Sequence, residues 1–298
     1  MGTSERYVRL TKLAQRAFSK GHLERALRLF VAAEDEAHRL GDRELIDRAF
    51  CNRCVVLLEL DRLDGAVGEL KHVLMRARDP FTSWMAAYYT AQVYKAEGNM
   101  PRALAYARRA SEMAATCGNP RALANSANEH GTLALVSSQF AEASGCFRQA
   151  LAYASEHGDD PVNIALFRDN LGYCLMCTGG VDEGLTLCSD AAASLETVGA
   201  KQYLAEVHQD LCYGYLQKGD LVNARQHGER ALEFARRYDY PTVERNTLML
   251  LADAAIDAGE EAAADGYLEA LSTHYPDFRG MKNFLLAFNV RDVINLKA

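Results

Sequence analysis

The stretch LCYGYLQKGDLVNARQHGERA, residues 211–231, decides the fold. Its first half has a helical pattern up to Lys218, Gly219 and Asp220 interrupt that pattern, and a second helical run begins at Leu221. Similar stretches recur at residues 13–33, 91–110, 171–191 and 251–270, with weaker copies at 54–73 and 131–150. The chain is therefore a tandem array of helix–turn–helix units.

The repeat keeps a nearly constant period. A small residue opens the packed face of each second helix: Ala26, Ala66, Ala103, Ala143, Gly184, Ala224 and Ala264. The successive spacings are 40, 37, 40, 41, 40 and 40 residues. The residue five positions earlier suits a left-handed turn that ends the first helix. These turn residues are Gly21, Asp61, Gly98, Ser138, Gly179, Gly219 and Gly259.

Prolines mark the joints between successive units. Pro80, Pro120, Pro161 and Pro241 each follow a predicted second helix, where proline fits the first turn of the next helix. Apolar residues recur three and four positions apart, and no segment has the alternation of a strand. The pattern predicts fourteen antiparallel helices in seven pairs, over residues 4–274.

The repeat resembles the tetratricopeptide repeat. The motif positions are Asn170, Leu171 and Gly172 in a first helix, and Ala26, Phe30 and Ala33 or Ala143, Phe147 and Ala150 in second helices. The usual unit has about 34 residues, so this long-helix version is similar to those of peptide-sensing bacterial regulators and motor-protein adaptor chains. The resemblance implies an all-α fold, a right-handed α-solenoid of about seven repeats.

Composition narrows the class of partner. The formal net charge of -7 argues against a nucleic-acid partner, which requires a basic face. There is no signal-peptide pattern and no apolar run of about 18 residues, so we expect a cytoplasmic protein without a membrane span. The eight cysteines lie in helical patterns, as expected of reduced, packed thiols.

No arrangement of residues predicts catalysis. The Cys51/Cys54 and Cys174/Cys177 pairs lie far apart in the array and lack further ligands at metal-binding spacing. The eight histidines are scattered, and there is no phosphate-binding glycine loop. We therefore expect no enzyme activity, no metal site and no cofactor.

The architecture itself predicts a binding surface. In the tetratricopeptide family the first helices line the concave face, so the resemblance implies a wall of amides, tyrosines and carboxylates that suits an extended peptide. The predicted wall residues are Tyr88, Gln92, Lys95, Asn125, Asn128, Thr132, Asp169, Tyr173, Gln209, Tyr213 and Asp253. The equivalent positions in the first two pairs are Thr11, Gln15, Cys51 and Val55.

Residues 277–298 break the repeat and are strongly apolar. One interpretation is a capping helix that covers the last pair, as repeat arrays require. The other is a contact with a partner protein or a second copy, which the apolar excess favours. The candidate contact residues are Phe284, Leu285, Phe288, Val293 and Ile294.

Taken together, the sequence predicts a non-catalytic scaffold or adaptor that binds a protein or peptide on its concave face. The alternative is a ligand-gated regulator that senses a peptide and signals through a partner protein. Both hypotheses require the wall residues to be accessible, and the second also requires a part of the chain that responds to the ligand.

Overall fold

The computed structural model describes residues 5–63, 65–157, 160–275 and 278–297, with the side chains at 279, 281, 284–286, 292 and 293 left out. Over these residues the chain is helical and contains no strand. The first helices of the seven pairs are α1 (Glu5–Ser19), α3 (Arg43–Glu59), α5 (Pro80–Ala96), α7 (Pro120–Val136), α9 (Pro161–Cys177), α11 (Leu204–Lys218) and α13 (Pro241–Asp257). The second helices are α2 (Leu23–Leu40), α4 (Ala66–Arg76), α6 (Met100–Cys117), α8 (Phe140–His157), α10 (Val181–Val198), α12 (Leu221–Tyr238) and α14 (Glu261–Ser272).

Three shorter elements complete the described chain. A 3-10 turn, Lys201–Tyr203, precedes α11. After the seventh pair come α15 (Phe278–Ala287) and α16 (Val290–Val293). The predicted fold class, an all-α array of helical hairpins followed by a C-terminal helix, is confirmed.

The turns are built as the repeat predicts. All seven predicted turn residues have positive φ, including the two that are not glycine, Asp61 at 52° and Ser138 at 56°. Each of the four joint prolines is the first residue of its helix. Aspartates cap several helices, as Asp79 does by accepting a hydrogen bond from the Thr82 amide at 2.8 Å.

The described residues form two compact units. The first comprises residues 1–133 with 149–159, and the second comprises residues 134–148 with 160–298. The boundary passes through α7 and α8. The first unit is built on α1–α6 and most of α7, and the second on α9–α16.

Each unit has its own packed interior. In the first, Trp84 is buried among Met85, Leu70 and their neighbours, and its indole N–H donates to the Ser126 hydroxyl at 2.9 Å. In the second, α9 and α10 approach closely at Gly172 and Gly184, where a Cβ would lie within 3 Å of the facing helix.

Candidate functional site

The first unit contains a cavity of about 270 Å³, here called the N-terminal cavity. Its walls come from α1, α3, α5 and α7, the first helices of four successive pairs. The lining residues are Tyr7, Val8, Thr11, Lys12, Gln15, Arg48, Asn52, Phe81, Trp84, Met85, Tyr89, Arg121 and Asn125. The described lining residues therefore all belong to first helices, on which the binding surface was predicted.

The N-terminal cavity is basic and aromatic. It carries three cations, Lys12, Arg48 and Arg121, and none of its described lining residues is a carboxylate. Arg48 is held in place from outside the lining by an ion pair with Asp79 at 2.6 Å. Lys12 and Arg121 are exposed at the cavity rim. The arrangement can attract an anion and pack an apolar group beside it.

Two hydroxyl groups in this cavity are buried and unsatisfied. The oxygens of Tyr7 and Thr11 have no hydrogen-bond partner among the described residues. Thr11 and Asn52 stand beside the Tyr7 hydroxyl without hydrogen-bond geometry, and burial raises the pKa of Tyr7. Because a buried polar group without a partner is costly, these hydroxyls are available to a polar ligand.

Only one of the six predicted wall residues in the first unit lines this cavity, and it is Asn125. Three others are engaged within the protein. Lys95 forms an ion pair with buried Glu129 at 2.9 Å, and Gln92 donates to the same carboxylate at 3.4 Å. Thr132 donates to a carbonyl of its own helix, that of Asn128, at 3.0 Å.

Tyr88 is packed rather than free. Its ring stacks on Trp84 with the centroids 5.2 Å apart and meets the edge of Tyr89 at 5.4 Å. Burial raises the pKa of the Tyr88 hydroxyl well above its ordinary value. Tyr88 therefore supports the aromatic wall of the cavity from behind.

The second unit has a groove formed by α9, α11 and α13, here called the C-terminal groove. The chain's own residues 290–297, here called the C-terminal segment, lie in it. The Leu296 amide donates to the Tyr173 hydroxyl at 3.0 Å, and the Asn246 side chain donates to the Leu296 carbonyl at 3.1 Å. Gln217 donates to the Arg291 carbonyl at 3.5 Å. The segment, whose first four residues form α16, is held through its main-chain atoms.

One end of the C-terminal segment is anchored by a lysine in an acidic pocket. The Lys297 ammonium lies 2.9 Å from Asp210, 3.4 Å from Glu206 and 4.0 Å from Asp169. It also lies 5.6 Å from the centre of the Tyr173 ring. Three carboxylates therefore converge on a single cation.

Burial controls the protonation of this pocket. It raises the pKa of Asp169 to about 6, against the opposing effect of Lys297. It also raises the pKa of Asp210, which is fully buried. For Lys297 burial lowers the pKa, but Asp210 and its acidic neighbours outweigh burial and leave it well above the ordinary value. The ammonium therefore stays charged.

The other end of the segment is also held by carboxylates. Arg291 lies 2.6 Å from Asp257 and 3.4 Å from Asp253. Burial raises the pKa of Asp253, and Arg291 opposes that effect. Between the two ends, Asn295 donates to the Leu135 carbonyl at 2.8 Å and to the Ser138 hydroxyl at 3.1 Å. The Asn295 contacts tie the segment to the turn that follows α7.

The five predicted wall residues of the second unit all lie at or behind the C-terminal groove. Asp169, Tyr173 and Asp253 contact the segment directly, as described above. Tyr213 packs its ring on Tyr173 with centroids 5.4 Å apart. Gln209 is buried and accepts a hydrogen bond from Thr247 at 3.4 Å. The structure thus groups these five residues.

The predicted contact residues of the C-terminal region are only partly described. Ile294 packs against the core that contains Leu248 and Leu268. Phe288 is 53% exposed. The side chains of Phe284, Leu285 and Val293 lie outside the described residues.

Most of the lining and contact residues outside the predicted wall occupy two positions in the repeat. Lys12, Arg48, Asn52, Tyr89, Glu206, Asp210 and Asn246 lie two or six residues before the small residue of their first helix. Most residues of the predicted wall lie in the neighbouring row, three residues before the small residue or one residue after it. The available signal was the change of charge along the missed row, from arginine in the second pair to glutamate and aspartate in the sixth.

The cysteines named in the sequence analysis are packed in the interior or near it. Cys51, Cys54 and Cys174 are buried, and burial raises the pKa of Cys54 and of Cys174 to about 12. Among the described residues, no group of histidine, cysteine and carboxylate side chains could hold a metal ion. Within the same residues, no helix has the length and apolarity to cross a membrane.

Solved structures of helical-repeat proteins share this fold. NprR in complex with its cognate peptide NprX matches with a TM-score of 0.66 at 14% identity, over 98% of this chain and 86% of that one. A Rap protein complexed with Competence and Sporulation Factor matches at 0.64 and 16%, over 100% and 88%. A STAND protein with a tetratricopeptide repeat sensor, from Pyrococcus horikoshii, matches at 0.65 and 16%, over 97% and 45%.

These likenesses show a fold of the tetratricopeptide repeat type. At identities below 20% they do not extend to ligands or partners. No family model matches the sequence, and no curated protein matches it.

Proposed function

We propose that this chain is a non-catalytic module that binds an extended protein or peptide segment on the face of its first helices. The observation that carries the proposal is the C-terminal groove, in which the chain's own residues 290–297 lie with their main chain bonded to groove side chains. A surface that holds one segment through main-chain atoms in this way has the donors and acceptors to hold others.

The N-terminal cavity is the site we propose for the ligand of another protein. Its cations and aromatic rings suit a segment that combines aspartate or glutamate with an apolar side chain. The unsatisfied hydroxyls of Tyr7 and Thr11 and the amides of Gln15, Asn52 and Asn125 can bond the main chain of that segment. We propose Asn125, of the predicted wall, as a direct contact.

The comparisons support the proposal at the level of fold. Two of the similar structures, NprR and Rap, were solved with a bound peptide or factor.

A charge-reversal experiment tests the proposal. Two labelled decapeptide pools serve as probes, one of acidic and apolar residues and one in which Lys and Arg replace the acids. Fluorescence anisotropy should show binding of the acidic pool, weakened by about tenfold or more in Lys12→Glu/Arg121→Glu. The matched control Arg25→Glu/Arg108→Glu reverses two exposed charges on second helices and should bind as the wild type does.

Two outcomes would contradict the proposal. One is equal binding of the acidic and basic pools, and the other is unchanged binding by the cavity variant. Circular dichroism checks that both variants fold, which is expected because all four side chains are exposed.

A second candidate function is a ligand-gated regulator. The observation that favours it is again the C-terminal segment, because a chain that fills its own groove has two states, filled and released. Under this hypothesis a bound peptide changes the exposure of residues 290–297, which limited proteolysis with and without the acidic pool would detect.

A further inference from the structure

We propose that the C-terminal groove is a second binding site, which takes a basic segment of another protein in place of residues 290–297. The expected ligand carries an arginine or lysine next to a branched apolar residue, with a second cation about six residues earlier. This proposal rests on the proposed function and names the chemistry of the ligand that the C-terminal groove takes. The N-terminal cavity contributes nothing to it, so the two proposals fail separately.

The contacts of the C-terminal segment define what the groove recognises. Tyr173, Asn246 and Gln217 bond main-chain atoms of the segment, and any peptide offers the same atoms. Selectivity comes from the side chains. Leu296 is buried, and Lys297 and Arg291 enter acidic ends of the groove. A ligand therefore needs this spacing of charges more than a particular sequence between them.

The charges of the groove are unbalanced when the segment is bound. Five carboxylates contact the segment, and only two cations of the segment face them. The carboxylates are Asp169, Glu206, Asp210, Asp253 and Asp257. Three of them, Asp169, Asp210 and Asp253, are buried, and burial raises the pKa of each because the two cations only partly stabilise the ionised forms. A segment with more positive charge stabilises these ionised forms further and should bind more tightly than the chain's own.

Hydrogen bonding points the same way. One oxygen of Asp169 and both oxygens of Asp210 have no hydrogen-bond partner among the described residues, although Lys297 pairs electrostatically with Asp210. An ammonium offers three donors from one point, whereas a guanidinium offers five in a planar fork. An arginine at the position of Lys297 would satisfy more of these oxygens. The groove should therefore bind a ligand with arginine at this position more tightly than it binds the C-terminal segment.

The experiment uses the full chain and three synthetic labelled peptides. The first is residues 289–298, NVRDVINLKA. The second has arginine for its lysine, and the third has glutamate for both its arginine and its lysine. The protein is tested as wild type and as Leu296→Ala/Lys297→Ala, which loosens the C-terminal segment without altering the groove. Binding is measured by fluorescence anisotropy.

We expect the loosened protein to bind the arginine peptide at least about tenfold more tightly than the wild type does. The arginine peptide should bind more tightly than the lysine peptide, and the glutamate peptide should not bind. The proposal would be overturned if the glutamate peptide bound as tightly as the arginine peptide. Failure of the loosened, folded protein to bind any of the three would also overturn it.

A further variant covers the case in which the double variant does not fold. Lys297→Gln removes only the charge and should still bind the arginine peptide more tightly than the wild type; failure to do so would overturn the proposal. Sedimentation of the wild type tests whether the groove instead takes the C-terminal segment of a second copy of this chain. A dimer that requires Lys297 would assign the groove to the segment of a second copy and would contradict a separate basic partner.

The acidic pool separates this result from the proposed function. Binding of that pool by the N-terminal cavity depends on Lys12 and Arg121, whatever the basic peptides do. A negative result with the basic peptides therefore leaves the first proposal standing, and the reverse also holds.

Discussion

The N-terminal cavity and the C-terminal groove are made by the same repeat and differ in nearly every chemical property. The cavity is lined by cations and aromatic rings and has unsatisfied hydroxyls. The groove is lined by carboxylates and holds a segment of the chain itself. The helices supply the scaffold, and one row of residues on the first helices supplies the charge.

The difference is clearest at equivalent positions. Arg48 and Glu206 both lie six residues before the small residue of their first helix, and Asn52 and Asp210 both lie two before it. A repeat protein can therefore offer surfaces of opposite charge at equivalent positions of the repeat.

The largest expected effect contrasts Tyr173 with Gln92, which follow the small residue of their first helices. Tyr173 is fully buried between the core and the C-terminal segment, whereas Gln92 is half-buried. Tyr173→Ala should lower the free energy of unfolding by about 3–5 kcal/mol, as removal of a buried aromatic ring does. Gln92→Ala should cost less than about 1 kcal/mol.

Urea denaturation followed by circular dichroism measures both values. Tyr173→Phe is the control, since it keeps the ring and removes the hydroxyl that bonds Leu296. It should cost about 1–2 kcal/mol. A Tyr173→Ala protein as stable as the wild type would show that the segment does not pack on this residue.

The next effect concerns how closely the helices pack. A Cβ at Gly172 would lie 2.6 Å from the Cys188 sulfur and 2.8 Å from the Gly184 carbonyl, whereas the first unit has Ala91 at this position. Gly172→Ala should therefore destabilise the protein by about 1–3 kcal/mol.

Gly145→Ala is the matched control for Gly172→Ala. Gly145 lies inside α8 with open space where its Cβ would be. The change should stabilise the helix by up to about 1 kcal/mol, because alanine has the higher helix propensity. Thermal melts compare the two variants, and equal shifts would contradict the close approach of α9 and α10.

Much of the fold could be predicted from the sequence because its signals are local. The spacing of Ala26, Gly184 and their counterparts, and the turn residue five positions earlier, are visible within one repeat. The burial of Tyr173 could not be predicted in this way. Its cover, Leu296, lies more than 100 residues further along the chain, and no local pattern connects the two.

The predicted wall lies on the same first helices that line the cavity and the groove, but mostly in a neighbouring row of residues. A shift of one residue turns a helical position by 100°, so a wall residue and a core residue can be adjacent in sequence. Lys95 shows a second difficulty. Its charged side chain is of the kind expected to contact a ligand, but its ammonium pairs with buried Glu129. Glu129 belongs to the next repeat, so the pair is not visible in the pattern of a single repeat.

The smallest effect is an acid-dependent loss of stability in the second unit. Burial lowers the pKa of His208 from 6.5 to about 3, and the charges of Arg230 and His227 act in the same direction. Between these two values the unfolded chain binds a proton that the folded chain does not. The stability that His208 contributes is therefore present above pH 6.5 and is lost as the pH falls towards 3.

The difference in unfolding free energy between the wild type and His208→Gln isolates this effect from the carboxylates. It should change by about 1–2 kcal/mol between pH 7 and pH 5, in favour of the variant at the lower pH. Urea denaturation at each pH provides the values. A constant difference would show that His208 is not buried in its neutral form.

Hydrogen–deuterium exchange of the wild-type chain, with and without a saturating amount of the arginine peptide, tests the central claim most directly. We predict that the amides of residues 290–297 exchange faster when the peptide is bound, while those of α9, α11 and α13 stay protected. Amides of residues 290–297 that remain equally protected while the peptide is bound would contradict an exchangeable occupant of the C-terminal groove.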